Sequence, residues 1–127
     1  MPAPNLSASA VLSRRGTERL RLGHPWIYRS DIATAKAEPG DLVLVKSEGG
    51  RPLGWALWSS ESQIALRFVS TDGNVNDETI WRDRLVTAIA YRDSLALDGT
   101  ACRLVHGEAD RMPALIVDRY DDVLVMQ

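Results

Sequence analysis

Between residues 42 and 69, short apolar runs alternate with turn-forming residues, and this spacing narrows the possible folds more than any other feature of the chain. Leu42-Val43-Leu44-Val45 is a continuous apolar run of strand length. Pro39-Gly40-Asp41 turns the chain before it, and Gly49-Gly50 makes a hairpin turn after it. Residues 53–58 supply the return strand. Residues 64–69 supply another, with Ile64, Leu66 and Phe68 on one face because side chains alternate. A further short strand is expected at residues 8–12. Repeated short strands with such turns predict a small barrel or sandwich.

Helical signals flank this β unit. Arg14-Arg15-Gly16 reads as a turn, with Thr17 capping a short helix to about Leu22 and Glu18 in its first turn. Gly23 is a natural stop, and Pro25 pushes the segment His24-Pro25-Trp26-Ile27-Tyr28 into an extended exit. Asp72-Gly73-Asn74 closes the unit, and Asn76 or Asp77 can cap the next element. Trp81, Leu85, Ala88, Ile89 and Leu95 mark one stripe of a helix of about twenty residues, with Gly99 as its left-handed cap. The rest reads as a strand near Cys102, a polar turn at Pro113 and a hairpin tipped by Asp121-Asp122. Val123 and Val125 are expected opposite Leu115 and Val117. The apolar run to Gln127 carries no cap or polar tail. A ribbon this apolar needs further partners, so these residues are expected to open a longer polypeptide. The expected class is α+β: a mixed β pseudobarrel with a short helix at 1–72, then a long helix and hairpin at 73–127 that open a second domain.

Of the 127 residues, 45% are hydrophobic and 25% charged, with a net charge of -2. A disordered chain would carry fewer apolar groups and more net charge. No run approaches the roughly 20 apolar residues of a membrane span. A single cysteine excludes a disulfide scaffold and, with no export signal, points to a reducing cytoplasm. The charge is uneven: residues 1–36 hold six basic and two acidic groups, residues 37–127 nine and fifteen. Thirteen of the fifteen cations are arginine, whose planar fork suits phosphate and stacks on bases. The alternative for the basic segment is a solvated helix face with i,i+4 pairs.

Arg14, Arg15, Arg19, Arg21 and Arg29 flank the short helix and its exit loop and are the foremost candidate contacts to a polyanion. His24 reads either as a loop residue beside them or as a packing residue. Trp26 and Tyr28 share one face of an extended segment, which either stacks on unpaired bases or packs into the barrel. Trp55, Trp58 and Trp81 read as core or helix-packing residues. Glu108, Asp110 and Asp118 read as turn residues pairing with Arg111 or Arg119. Cys102 reads as a small apolar filler, and neither His24 nor His106 belongs to a metal-ligand spacing. No catalytic, metal or cofactor-binding residue is assigned.

The segment HGEADRMPALIVDRYDDVLVMQ resembles the start of the central domain of bacterial S-adenosylmethionine-dependent RNA methyltransferases of the RlmI type. Gly107, Glu108, Asp110, Pro113, Leu115, Val117, Asp118, Arg119 and Tyr120 match the pattern. Ala114 and Asp121 stand where the family has Gly. Upstream, Arg21, His24, Pro25 and Trp26 resemble the family's Arg-x-x-His-Pro-Trp segment, and the likeness runs from about Ala10 to Gln127. The resemblance implies a PUA domain, a small RNA-binding pseudobarrel, in the first 72 or so residues. It implies that RNA, in this family rRNA, is held by Arg14, Arg15, Arg19, Arg21, His24, Trp26, Tyr28 and Arg29. It also implies a Rossmann-like domain that binds S-adenosylmethionine and methylates cytosine at C5. This chain has no Gly-rich cofactor turn, no Asp-Pro-Pro segment and no cysteine in the family's nucleophile context. The expectation is an RNA-docking portion inactive alone. The alternatives are a free-standing PUA-like module that binds RNA or protein, and a spacer without ligand function.

Overall fold

The computed structural model describes residues 7–71, 75 and 78–127. The turn expected at Asp72-Gly73-Asn74 and the cap expected at Asn76 or Asp77 lie outside the described residues. The chain divides into two compact units, Met1–Asn76 and Asp77–Gln127. The class is α+β, with a mixed half-barrel in the first unit and a second small sheet in the other.

In the first unit, β1 (Ser9–Leu12), β2 (Trp26–Tyr28), β3 (Ile32–Lys36), β4 (Leu42–Ser47), β5 (Pro52–Trp58) and β6 (Ile64–Ser70) form one sheet in the order β2-β6-β5-β4-β1-β3. Only the β1–β4 pairing is parallel. Period-2 alternation sends Ala10, Leu12, Ile27, Val43, Val45, Ala56, Leu66 and Phe68 into one core. The run 42–45 is thus a strand with one buried face, Val43 and Val45 turning inward. β3 carries no strand signal of its own. Only Ile32 of β3 is partly buried, and antiparallel pairing with β1 creates the strand. Gly54 fills a place no other residue could: its φ is +139°, and a Cβ there would lie 2.3 Å from the Ser70 carbonyl oxygen.

The short helix starts earlier than its sequence suggested. α1 spans Arg14–Arg21, and its cap is Ser13, whose hydroxyl accepts from Gly16 N at 3.1 Å. Arg14-Arg15-Gly16 is therefore its first turn. Ser13 outcompetes Thr17 because its Oγ reaches an orphan amide of that turn. Gly16 and Thr17 are buried, so the helix seats on its first turn.

In the second unit, α2 (Glu78–Ser94) covers a three-stranded antiparallel sheet of β7 (Ala101–His106), β8 (Ile116–Tyr120) and β9 (Val123–Met126). Trp81, Leu85 and Ala88 pack on Leu104, Val105, Met112 and Val117, with Cys102 half-buried beside them. The helix stops short of the expected end. Ile89 and Leu95 are exposed, and the positive φ beyond the helix falls on Ala96 (+48°), not Gly99. The β8–β9 register also differs from expectation, by an odd number of residues. Val117 faces Met126, while Val123 and Val125 lie across from Tyr120 and Asp118. An odd shift moves both valines to the other face of the sheet. Asp121 does form the tip, at φ +57°, and Ala114 adopts φ +65°.

Candidate nucleic-acid interface

The basic segment is organised from below by one acidic residue. Asp31 ends a 3-10 turn (Arg29–Asp31) and has no solvent exposure. Its carbonyl accepts from Ser13 N at 2.8 Å, which ties the start of α1 to this turn. A Cβ on Gly16 would lie 2.7 Å from that same oxygen, so only glycine lets α1 approach this closely. The Asp31 carboxylate accepts from Arg15 Nε, and its other oxygen lies 3.9 Å from Arg19 Nε. Arg15 and Arg19 keep 66% and 40% side-chain exposure while their shared carboxylate keeps 1%. Arg15 Nη2 also donates to Ser30 Oγ at 3.1 Å.

Aromatic rings adjoin these guanidinium groups. Trp26 and Tyr28 on β2 are each 38% exposed, whereas Ile27 between them is fully buried. Trp26 therefore lies outward and does not pack into the barrel core, because the strand places Ile27 there instead. The Arg19 guanidinium lies 5.2 Å from the Tyr28 ring centroid, and Arg67 lies 5.7 Å from that of Trp26. Trp26 and Arg67 are direct cross-strand partners on β2 and β6. Each ring thus carries a cation within attractive range.

The other candidates divide. Arg14 and His24 are exposed, His24 in the loop after Gly23. Arg21 is exposed and 3.9 Å from Glu18, a pair that contributes little in water. Arg29 is committed to the fold: its Nη2 donates to the carbonyls of Ser59 and Ser62 at 2.8 and 2.7 Å, and its guanidinium covers Trp58. The structure thus brings together Arg15, Arg19, Trp26 and Tyr28, and gives Arg29 a structural task. Sequence reasoning overlooked Arg67, although its place between inward Leu66 and Phe68 marked it as outward. It also counted Asp31 only as a charge.

Asp110 and Asp118 pair with other arginines than expected. Asp110 takes a two-pronged bond from Arg92 at 2.5 and 2.7 Å, and Asp118 one from Arg103 at 2.7 and 3.0 Å. These side-chain hydrogen bonds hold both carboxyls below their ordinary range. A shallow cleft of about 490 Å³ on this sheet is lined by Arg103, His106, Asp118 and Tyr120. Arg103 in that cleft is already matched by Asp118, whereas in the first unit Arg15 and Arg19 share the carboxylate of Asp31. The candidate interface is therefore the surface of the first unit. Among the described residues, no three His, Cys, Asp or Glu side chains come together to hold a metal ion, and no helix is long and apolar enough to cross a membrane.

A family model described as a PUA-like domain matches residues 10–71. Along its whole length the chain is 35% identical to a ribosomal RNA large subunit methyltransferase of Deinococcus radiodurans, covering 34% of that protein. It is 38% identical to ribosomal RNA large subunit methyltransferase I of Shewanella denitrificans, over 94% of this chain and 32% of the relative. The chain spans about a third of the length of the curated relatives it matches. A methyltransferase structure in complex with SAH superposes at a TM-score of 0.79 with 18% identity, over 93% of this chain and 31% of the other. A structure described as a SAM-dependent methyltransferase of Streptococcus mutans gives 0.78 with 18% identity, over 93% and 32%. At that identity the likeness is one of fold.

Proposed function

Because residues 10–71 of this chain belong to the PUA-like domain family, we propose that it is the RNA-docking portion of a ribosomal RNA methyltransferase. The observation that carries this reading is the Arg15–Arg19–Tyr28–Trp26–Arg67 surface, where guanidinium groups and outward rings lie side by side. Arginine forks contact phosphate and give salt-dependent affinity, while exposed rings stack on unpaired bases. The relatives' names supply the substrate class, rRNA. The target atom on this reading is C5 of a cytosine, and the setting is the cytoplasm. This reading places S-adenosylmethionine outside the residues described. The turn from β1 into α1 is filled by Ser13, Gly16 and Asp31, and leaves no cradle for a cofactor. Cofactor and nucleophile belong to a part of the enzyme outside these residues, and the chain by itself transfers no methyl group.

The test is fluorescence anisotropy with a labelled rRNA hairpin carrying an unpaired loop. Arg14→Glu with Arg21→Glu leaves the Asp31 pairs untouched and should weaken binding at least tenfold. About four phosphate contacts would give a log–log salt slope near -3. Trp26→Ala should weaken loop RNA more than duplex RNA. Absence of binding at low salt defeats the proposal.

A further inference from the structure

Asp31 is an odd resident of a cationic surface. Its side chain is 1% exposed, yet the contacts that seat α1 on the 3-10 turn are made by its backbone. Its carbonyl receives Ser13 N, and its carbonyl and Cβ face Gly16. Arg15 donates its Nε to one oxygen of the carboxylate, while Arg19 Nε lies 3.9 Å from the other, a charge contact without a hydrogen bond that leaves both of those buried atoms without a hydrogen-bond partner. This approach turns both Nη groups of Arg19 and the Nη1 of Arg15 away from the carboxylate, and both side chains remain substantially exposed. Tyr28 supports the Arg19 guanidinium, and Ser30 Oγ receives Arg15 Nη2.

We propose that Asp31 is a positioning residue for RNA: from beneath the surface it fixes Arg15 and Arg19 as two oriented forks for neighbouring phosphates. This inference rests on the RNA-docking reading above. Free arginines lose rotamer entropy when they close on a ligand, and prior fixing removes that loss. One buried carboxylate serves two cations, so the pair keeps an excess positive charge outward. Asp31 is itself inaccessible and does not meet the phosphates directly.

The experiment compares affinities of the full 127-residue chain for a fluorescein-labelled single-stranded RNA 12-mer across salt. Asp31→Asn keeps the backbone contacts and makes the surface one unit more positive. Positioning predicts about tenfold weaker binding all the same. Simple charge counting predicts tighter binding with a steeper salt slope, and that result overturns the inference. Arg15→Lys with Arg19→Lys preserves charge and leaves Asp31 paired, but lacks the fork. It should lose affinity similarly, and Asp31→Asn added to it should cost nothing further. Should Asp31→Asn fail to fold, the double lysine variant decides: affinity equal to the parent's refutes positioning. Failure of the parent chain to bind RNA at low salt refutes the docking reading instead, so the two failures are distinguishable.

Discussion

Replacing Gly16 with alanine separates local propensity from tertiary packing, because the two predict opposite signs. Glycine within a helix is ordinarily about 1 kcal/mol worse than alanine, so propensity alone predicts a gain. In this fold the new Cβ would stand 2.7 Å from the Asp31 carbonyl oxygen, 3.1 Å from Asp31 Cβ and 3.4 Å from Leu12 Cβ. Contacts under 3.0 Å are essentially absent from real structures, and the nearest atom is backbone that cannot swing away. α1 must lift off the 3-10 turn by about half an ångström, an overpacking strain of roughly 1–3 kcal/mol. The lift also stretches the Ser13 N–Asp31 O bond, a buried hydrogen bond that contributes about 1 kcal/mol. The net expectation is a loss of about 2 kcal/mol, or a fall in Tm on the order of 10 °C for a unit of this size. Urea and thermal unfolding followed by tryptophan fluorescence in a Trp81→Phe background would report the first unit through Trp26, Trp55 and Trp58. The helix lift also moves Arg15 and Arg19, so RNA affinity should fall even at temperatures where the variant is folded. A variant as stable as the parent, or more stable, would refute the claim that close seating of α1 on Asp31 organises this surface.

Gly54→Ala should be harsher still. Its Cβ would sit 2.3 Å from Ser70 O and 2.9 Å from Thr71 Cα at a φ of +139°, so a loss of about 3 kcal/mol or more is expected, read as lost soluble yield and a collapsed CD transition. Ala114→Gly and Asp121→Gly relieve φ values of +65° and +57°, and each should stabilise the chain by about 0.5–1 kcal/mol in urea melts, with Asp121 at the low end. The Arg92 hydrogen bonds hold the Asp110 carboxyl below its ordinary value, against an opposing desolvation. A depressed carboxyl contributes stability that is fully present above the unfolded value near pH 4 and is lost as pH falls through the lower folded value. Asp110→Asn should therefore cost stability at pH 7 and flatten the fall of Tm below about pH 4. An unchanged acid limb would show that the pair does not contribute.

Much of the molecule could be read from local pattern. The apolar run at 42–45, the hairpin return at 53–58 and the alternation at 64–69 located β4, β5 and β6, and of the set Ile64, Leu66 and Phe68 the last two are buried and Ile64 half-buried. The family signature at 107–120 and the PUA-like reading of the first unit were visible in residue identities alone. The two departures from the signature, Ala114 and Asp121, both occupy left-handed backbone, a conformation that suits the Gly of the family pattern.

What sequence determines here is what a residue and its near neighbours decide: period-2 faces, turns at Gly and Pro, and a surplus of arginine near the amino end. Tertiary structure decided the rest. It chose Ser13 over Thr17 as the cap, because docking on Asp31 favours an earlier helix start. It turned Trp26 outward by giving the core to Ile27, and paired it with Arg67 from a distant strand. It placed Arg15 and Arg19 on one buried carboxylate and sent Arg29 to loop carbonyls. Alternation tells each strand which side chains share a face, but the register and the partner across a strand or beneath a helix depend on how remote segments meet.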